Sequence, residues 1–269
     1  MNEPSETVRA SDLEIDFADT GEGPPVLLLH GFPFDRSMWR EQIEVLRQSR
    51  FRAIAPDLRG LGATKWEGQT ATMDQMARDV AALLDRLAIS KAVVCGLSMG
   101  GYVAFEFRKL FSSRVTALIL AGTRAPADNE KEKQVRFDQA QRMLKEGMAP
   151  VAEATLPKLL APRTLKEKPD VAERVREMIL RSSPHGAAAA QRGMAARRDY
   201  SADLAEINVP ALIIVGREDP IRPVADAEFM HNGIRNSRLE IIEDTAHMTN
   251  MEQSEIFNRS LLAFLEQLA

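Results

Sequence analysis

Cysteine is almost missing from this chain of 269 residues, in which Cys95 carries the single thiol. One thiol cannot form an internal disulfide, and structural disulfides are typical of oxidising compartments. The first residues, Met-Asn-Glu-Pro-Ser-Glu, also lack the basic start and the apolar stretch of a secretory signal peptide. Together these absences predict a protein of a reducing, cytoplasmic setting.

Long hydrophobic runs and an excess of basic charge are missing as well. Apolar runs such as residues 26–29 and 211–215 are far shorter than the roughly 20 residues that span a bilayer. The 35 basic and 39 acidic side chains leave a net charge of −4, without a basic stripe or an acidic tail. We therefore expect no membrane contact, no nucleic-acid partner, a small-molecule substrate, and a monomer or homodimer.

Patterns that bind metals or organic cofactors are not found either. The chain has four histidines, no His-Glu-x-x-His segment and no cysteine cluster. Gly60-Leu61-Gly62 lacks the third glycine and the strand-to-helix spacing of a dinucleotide-binding fingerprint. The sequence thus predicts chemistry that side chains carry out without a metal or a cofactor.

Short apolar runs alternate with amphipathic stretches, a pattern typical of strands and helices in turn. Strands are expected at residues 13–18, 26–30, 51–55, 92–95, 115–121, 211–215 and 239–242, with an eighth strand before residue 13 that pairs with the first as a hairpin. Helices are expected around residues 39–46, 73–87, 103–110 and 256–265. Thr72 and Gln75 resemble a capping box before the second of these helices. The alternation favours a mostly parallel, eight-stranded sheet covered on both faces by helices.

The alternation stops in the middle of the chain. From about residue 124 to residue 201 there is no strand pattern, only charged helical stretches. These stretches are separated by Pro126, Pro150, Pro157, Pro162, Pro169 and Pro184. We predict an α/β core formed by residues 1–123 and 202–269, with residues 124–201 inserted as a helical cap over the C-terminal edge of the sheet.

The segment Gly96-Leu97-Ser98-Met99-Gly100 matches the pattern G-x-S-x-G. It follows a predicted strand and precedes a predicted helix, which is the context of a nucleophile elbow. In that geometry the serine occupies a strained turn, and its hydroxyl stands above the sheet edge beside a helix N-terminus. Ser98 is therefore our candidate nucleophile, and the alternative is an ordinary Gly/Ser turn without chemistry.

A serine nucleophile needs a base, and the base needs a group that orients it. Among the four histidines, His247 follows the last predicted strand, where ligands meet sheets of this kind. Asp219 follows the next-to-last strand and is the candidate acid, with Glu218 as a close competitor. The chain order of serine, acid and histidine is the one expected for this arrangement.

The oxyanion of a tetrahedral intermediate needs two backbone N–H donors. Met99 directly follows the candidate nucleophile and supplies one of them. The segment His30-Gly31-Phe32-Pro33 should supply the other, and we choose Phe32 because proline has no N–H. His30 is then a structural residue that braces the turn. Phe32 and Phe34 either wall the pocket for the acyl group or belong to the core.

Five segments follow one another along the chain: LLLHGFPFD, PDLRGLGAT, GLSMGGYVAFEF, VGREDPIRP and DTAHMTNMEQ. In these segments and in their order, the chain resembles the α/β-hydrolase family over nearly its whole length. HGFPFDRSMW and GLSMGGYVAF are most similar to small bacterial carboxylesterases and 3-oxoadipate enol-lactonases. The resemblance implies the same three catalytic residues and the same two amides, and it gives Asp57 and Arg59 a bracing role. Two departures, the Asp-Thr-Ala-His loop and Ser254 in place of a frequent proline, remove no catalytic group.

The resemblance also implies a reaction, the hydrolysis of a carboxylic ester through an acyl-enzyme. We expect apolar pocket walls and hence small uncharged esters with short acyl chains. A lactonase and a cofactor-free perhydrolase use the same three residues, so both remain alternatives. A non-catalytic ligand receptor is the alternative from a different class.

Overall fold

A computed structural model describes residues 6–10 and 12–268 of the chain. Its strands β1 to β8 are Glu6–Ala10, Leu13–Asp19, Pro25–Leu29, Arg52–Pro56, Ala92–Leu97, Val115–Ala121, Ala211–Gly216 and Ser237–Ile242. β1 and β2 pair as an antiparallel hairpin, as the sequence predicts. Each of the other strands lies where an apolar run predicts one, with ends that differ by one or two residues.

The strands form one sheet in the order β1-β2-β4-β3-β5-β6-β7-β8. β2 pairs antiparallel with β1 and β4, whereas all pairings among β3 to β8 are parallel. The carboxyl ends of these parallel strands therefore lie along the same edge of the sheet. Turns that follow β3, β5, β6, β7 and β8 meet there, at the edge where ligands bind in sheets of this type.

Helices lie on both faces of the sheet and in one insertion. Helices α1 to α11 are Arg40–Arg47, Met73–Arg86, Met99–Leu110, Glu130–Glu146, Ala149–Leu159, Pro162–Glu167, Pro169–Arg181, Pro184–Ala195, Val224–Gly233, Thr249–Glu252 and Ser254–Glu266. Short 3₁₀ turns lie at Arg36–Trp39, Ser112–Arg114 and Ala202–Glu206. None of the helices in the described residues combines the length and the apolar character needed to cross a bilayer.

Alternate residues of the central strands face two different hydrophobic clusters. On β3, Val26 and Leu28 belong to one cluster and Leu27 and Leu29 to the other, and all four are fully buried. Helices α1 and α11 cover the face of Val26 and Leu28, and helices α2 and α3 cover the face of Leu27 and Leu29. A strand buried on both faces needs an almost continuous apolar run, which is what the sequence shows at this position.

The start of α2 is fixed by its cap. The Thr72 hydroxyl accepts a hydrogen bond from the Gln75 N–H at 3.1 Å, and Gln75 Oε1 accepts one from the Thr72 N–H at 3.0 Å. The two bonds satisfy donors that the first helical turn leaves without partners. The capping box predicted from the sequence is therefore confirmed.

Helices α4 to α8 form an insertion between β6 and β7. Prolines lie in the first turn of α5, α6, α7 and α8, where the missing N–H removes no helical hydrogen bond. Pro157 differs, because it lies inside α5 and ends no helix. The helical insertion is thus found, while the boundaries at residues 124 and 201 stay a prediction.

Candidate active site

Ser98 stands in the turn between β5 and α3, with φ +55° and ψ −112°. Residues other than glycine rarely adopt positive φ, and such strain persists where the surrounding structure enforces it. The Ser98 N–H donates to the Ala121 carbonyl at 2.9 Å, and the Ser98 carbonyl accepts from the Gly101 N–H at 3.0 Å. The strained turn predicted from G-x-S-x-G is therefore confirmed. We call residues 96–101 the serine turn.

Glycines in the serine turn are required by close backbone approaches. A Cβ on Gly96 would overlap the carbonyl of Gly100, and a Cβ on Gly100 would overlap the carbonyl oxygen of Leu29. Because the contacts involve backbone atoms, no rotation of a side chain could relieve them. Helix α3 begins at Met99, four residues before the start that the helical pattern predicts, because Gly100 and Gly101 weaken that pattern.

Asp219 and His247 lie together although 28 residues separate them. Asp219 Oδ2 is 2.7 Å from His247 Nδ1, and both side chains are buried, with exposures of 4% and 3%. Asp219 Oδ1 accepts hydrogen bonds from the Ile221 N–H at 2.8 Å and the Arg222 N–H at 2.9 Å. The carboxylate is thus fixed by its own loop and orients the imidazole. Glu218, the competitor, is exposed.

The loop that carries His247 is attached to the cap. The Leu159 carbonyl, at the end of α5, accepts hydrogen bonds from the N–H groups of His247 and Met248, each at 3.1 Å. Glu252, which is fully buried, accepts from the Ala161 N–H at 2.7 Å and the Ala246 N–H at 2.8 Å. Burial raises the pKa of Glu252. The position of the imidazole therefore depends on residues of the cap as well as on β8.

A cavity of about 360 Å³ brings the candidate residues together at the C-terminal edge of the sheet. Ser98, His247 and Phe32 line it. Asp219 lies behind the imidazole, outside the lining. Met99 is buried at the first position of α3, where helical geometry leaves backbone N–H groups without partners. The oxyanion amides of Phe32 and Met99 stay a prediction that this placement permits.

Phe32 and Phe34 have different environments. Phe32 is partly exposed and lines the cavity, whereas Phe34 is 1% exposed and packs in the hydrophobic cluster that contains Trp39. Of the two alternatives weighed for these residues, Phe32 therefore belongs to the pocket and Phe34 to the core.

His30 braces the turn after β3, as the sequence predicts. Its Nε2 accepts a hydrogen bond from the Leu58 N–H at 2.9 Å, and its Nδ1 donates to the Gly31 carbonyl at 2.9 Å. The neutral ring satisfies both contacts, and burial lowers the pKa of His30, which favours that neutral form. His30 thus holds the backbone beside Phe32 in place.

Asp57 bonds to Arg36 just after the same turn, and Arg59 ties its own loop to α2. Asp57 accepts from the Arg36 N–H and the Ala63 N–H, each at 2.8 Å. Arg59 makes a two-point ion pair with Asp79, at 2.7 and 2.5 Å. Neither Asp57 nor Arg59 lines the cavity. These contacts fit the bracing role that the resemblance implies.

The cavity wall has an apolar part and a charged part. Apolar side chains line it as expected, among them Phe32, Val135, Val151, Leu159, Met194 and Ile221. The expectation of apolar walls is incomplete, however, because six charged residues line the cavity too. We call them the charged wall: Arg124, Asp128, Lys131, Glu132, Arg136 and Arg222.

Most of the charged-wall residues that lie between residues 124 and 136 are paired with one another. Asp128 accepts from Arg124 at 2.5 Å, from Arg136, and from Arg197 at 2.8 Å. Burial raises the pKa of Asp128, but the adjacent guanidinium groups outweigh burial and hold that pKa well below its usual range. Glu132 pairs with Arg124 at 3.0 Å. These acids are therefore ionised and serve to hold the arginines in place.

Among residues 6–10 and 12–268, no three His, Cys, Asp or Glu side chains are grouped as metal ligands would be. Cys95 is fully buried in β5, and burial raises the pKa of its thiol. A buried thiol of this kind is a core residue, because the thiolate is the reactive form.

Several residues of the site could not be found by sequence patterns. Thr123 donates its hydroxyl to the Ser98 carbonyl at 2.8 Å, and Tyr102 accepts two hydrogen bonds from Arg222. Glu252 lies in the Met-Glu-Gln segment noted in the resemblance, which was its one signal. The others give no signal, since a threonine after a strand or an arginine in a loop is common.

The comparisons with known proteins agree with this geometry. The chain matches the model of the alpha/beta hydrolase fold over residues 24–254. A match over most of the chain, together with the eight-stranded sheet and the helical insertion, assigns the chain to the α/β-hydrolase fold family.

The relatives are named for more than one reaction. A thermophilic esterase from Thermogutta terrifontis, solved with malate bound, is 40% identical with a TM-score of 0.95, and the match covers 98% of this chain and 99% of that one. 3-oxoadipate enol-lactonase 2 from Acinetobacter baylyi is 30% identical, with 97% of each chain covered. A non-heme haloperoxidase from Rhodococcus erythropolis is 30% identical, with 96% of this chain and 98% of that one covered. The chain is thus a hydrolase of this fold by similarity, and the finer activity is a matter for proposal.

Proposed function

We propose that the protein hydrolyses small carboxylic esters through an acyl-enzyme formed on Ser98. The observation that carries this proposal is the 2.7 Å contact between Asp219 Oδ2 and His247 Nδ1, made by two buried side chains beside a cavity that Ser98 lines. A carboxylate, an imidazole and a serine at one cavity are the parts that acyl transfer to water requires. The similarity to an esterase supports the same activity.

In the first half of the reaction, the Ser98 hydroxyl attacks the ester carbonyl while His247 Nε2 takes its proton. The negative charge on the carbonyl oxygen is stabilised by the backbone N–H groups of Phe32 and Met99. The tetrahedral intermediate collapses to the acyl-enzyme, and His247 returns the proton to the leaving alcohol.

In the second half, water takes the place of the alcohol. His247 removes a proton from the water as it attacks the acyl carbonyl, and the same proton then returns to the Ser98 oxygen. Asp219 accepts the Nδ1 hydrogen throughout, which keeps Nε2 free to receive a proton and stabilises the imidazolium that forms. Acid and enzyme are released with all protons balanced.

A lactonase is the second candidate. Two enol-lactonases of Acinetobacter baylyi are 30% and 28% identical to this chain, which favours a cyclic ester as an alternative substrate. The chemistry would be the same, except that the leaving oxygen stays attached to the acyl group after the ring opens. A perhydrolase, in which peroxide replaces water in the second half, has support from the haloperoxidase relative.

The test combines turnover with trapping of the acyl-enzyme. The protein is given p-nitrophenyl esters of increasing chain length, enol-lactones, and peroxide with bromide, and an acid quench is followed by mass spectrometry of the peptide that contains Ser98. We expect ester hydrolysis and an acyl mass on Ser98. The Ser98→Ala variant should lose about 10⁴-fold or more in kcat. Near-normal turnover by that variant, or an acyl group on another residue, would contradict the proposal.

A further inference from the structure

The charged wall is not explained by the hydrolysis of an uncharged ester. Four of its residues are cationic and two are acidic, so the lining of the cavity is rich in positive charge. Proton transfer and oxyanion binding use none of these side chains. Charged groups at a cavity lose hydration, and they are retained there when a ligand or a partner compensates them. The excess of cations therefore indicates a ligand with negative charge.

The acids of the wall are already engaged. Asp128 is shared by Arg124, Arg136 and Arg197, and Glu132 pairs with Arg124. Within the described part of the chain, Arg222 makes hydrogen bonds to Tyr102 and to the Ile221 carbonyl but no ion pair with a carboxylate. Arg222 is thus the guanidinium of the wall whose charge is not balanced by a direct partner.

One acid outside the lining acts on Arg222 from a distance. Burial raises the pKa of Asp226, on α9, and the charges of Arg222 and Arg124 offset part of that rise. Asp226 therefore carries less negative charge at acidic pH than a solvated aspartate would. It does not replace a direct partner for Arg222.

Arg222 is held in a defined place next to the reacting groups. Its Nε and Nη2 donate to the Tyr102 hydroxyl at 3.1 and 2.5 Å, and its Nη1 donates to the Ile221 carbonyl at 2.6 Å. Its backbone N–H donates to Asp219 at 2.9 Å. Nη1 and Nη2 each carry a second N–H, so donors remain for a ligand. The guanidinium is oriented before any substrate arrives.

Tyr102 connects Arg222 to the serine turn. Its N–H donates to the Ser98 carbonyl at 3.4 Å, one helical turn after the nucleophile. Arg197 lies over its ring at 4.2 Å. Burial raises the pKa of Tyr102, but the charges of Arg222, Arg197 and Arg136 outweigh burial and lower that pKa. The Tyr102 hydroxyl thus lies within the electrostatic reach of three arginines, and Arg222 contacts it directly.

We infer that the cavity selects esters or lactones that carry a carboxylate, and that Arg222 is the binding residue for that carboxylate. A guanidinium with free N–H groups on two nitrogens can bind the planar carboxylate through charge-assisted hydrogen bonds. The inference rests on the proposed function, and it replaces the sequence-based expectation of uncharged esters. Arg124 and Arg136 add positive charge from the cap without making the direct contact.

The experiment compares two probes of the same shape. Monomethyl glutarate carries a carboxylate, and methyl 4-carbamoylbutanoate carries a neutral amide in its place. Methanol release gives kcat/KM for each probe, and the ratio of the two values is the readout. We expect the wild-type protein to favour the carboxylate by at least about tenfold, and Arg222→Gln to lower the ratio by about 10- to 100-fold, since a hydrogen bond to a charged group has that value.

Two further variants separate charge from structure. Arg222→Lys keeps the charge but loses the planar fork, and it should give an intermediate ratio. Arg78→Gln is the matched control, because Arg78 is an exposed arginine on α2 whose ion pair with Asp74 lies outside the cavity. It should leave both kcat/KM values unchanged. Equal use of both probes by the wild-type protein, or an unchanged ratio in Arg222→Gln, would overturn the inference while leaving the esterase proposal intact.

A binding measurement keeps the inference falsifiable if no probe is hydrolysed. Calorimetry with Ser98→Ala should show tighter binding of monomethyl glutarate than of the amide, and Ser98→Ala/Arg222→Gln should lose that preference. Selective binding by a wild-type protein that also fails to hydrolyse the p-nitrophenyl esters would support carboxylate recognition and contradict the proposed function. Neither binding nor hydrolysis would overturn both.

Discussion

The serine turn and the charged wall meet at one cavity, but the chain builds them in different ways. In the serine turn, backbone contacts determine the geometry, and a Cβ on Gly96 or Gly100 would overlap a carbonyl group. In the charged wall, side chains from α4 and from the loop after β6 hold one another by ion pairs, and Arg222 from the loop after β7 is held by hydrogen bonds to Tyr102 and the Ile221 carbonyl. The first region is a single short turn, whereas the second combines residues 124–136 with Arg222, which the fold brings to the same cavity.

We interpret this difference as a division of roles, in which the serine turn serves the reaction and the charged wall serves the choice of substrate. Strained backbone geometry leaves little room for change, so a turn of this kind preserves one chemistry. Side chains on an insertion can be exchanged without altering the sheet, so they can adapt the cavity to another substrate. The relatives, which are named as esterases, enol-lactonases and haloperoxidases, fit such a division.

The largest expected effect tests whether Asp219, and not Glu218, is the acid that orients His247. Asp219→Asn should lower kcat by about 10⁴-fold, because an amide no longer fixes the tautomer of His247. Glu218→Gln is the control, since Glu218 is exposed and should change kcat less than about threefold. Steady-state kinetics on one ester measure both. The reverse order of the two effects would move the acid to Glu218.

The next prediction tests the role of backbone contacts in the serine turn. Gly100→Ala should lower the free energy of unfolding by roughly 2–3 kcal/mol, because its Cβ overlaps the Leu29 carbonyl oxygen. Gly147→Ala in the cap should cost about 1 kcal/mol, since Gly147 has φ +76° but open space around it. Urea denaturation measures both values. A harmless Gly100→Ala would show that the turn tolerates a side chain.

A smaller effect is expected where the helical insertion meets the loop that carries His247. Glu252→Gln removes one of the oxygens that accept from the Ala161 and Ala246 N–H groups, and it should cost roughly 1–2 kcal/mol. Because burial raises the pKa of Glu252, this group stabilises the fold most at low pH, and that contribution is lost as the pH rises from 4.5 through the raised pKa.

The glutamine lacks this titration, so the stability deficit of Glu252→Gln should shrink as the pH rises above about 4.5. Unfolding curves of both proteins between pH 4 and 8, roughly the range over which carboxyl groups of raised pKa titrate, provide the measurement. A deficit that grows with pH would mean that Glu252 is more stable as a carboxylate in the folded protein.

The smallest effect concerns charges of the cap that lie away from the cavity. Arg142 and Glu146 form an exposed pair at 2.6 Å on α4. Glu146→Gln should change the free energy of unfolding by less than about 0.5 kcal/mol and leave the kinetics unchanged, because solvent screens exposed pairs. A change in the ratio of kcat/KM values between the two glutarate probes would show that selection depends on the whole charge of the cap.

The fold could be predicted, and candidates for the reacting groups could be named, because their signals are local. The serine turn has its own pattern, and the candidate acid and base each follow an apolar strand. Since parallel strands end at one edge, three residues far apart in sequence could be expected to meet. The limits of β5 and α3 were harder, because Gly100 and Gly101 weaken the helical pattern where the fold requires helix.

The charged wall could not be predicted for a physical reason. Arg124 and Arg136 look like residues of a solvated helical surface, and Arg222 looks like a loop charge. Their importance arises because α4, packed on α8 and α5, lines the same cavity as Ser98, which no sequence pattern records. Phe32 and Phe34 show the same limit, because two residues of one turn point to different environments.

The hydrogen bonds from His247 and Met248 to Leu159 have a consequence for recombination between members of this family. A cap transplanted from a relative would bring its own backbone at the junction of α5 and α6. A carbonyl of that backbone must accept hydrogen bonds from the N–H groups of His247 and Met248. Grafts whose crossover points keep residues 159–161 together with Glu252 preserve these hydrogen bonds. Grafts that separate these residues would change the position of the His247 imidazole even if every other residue of the host were retained.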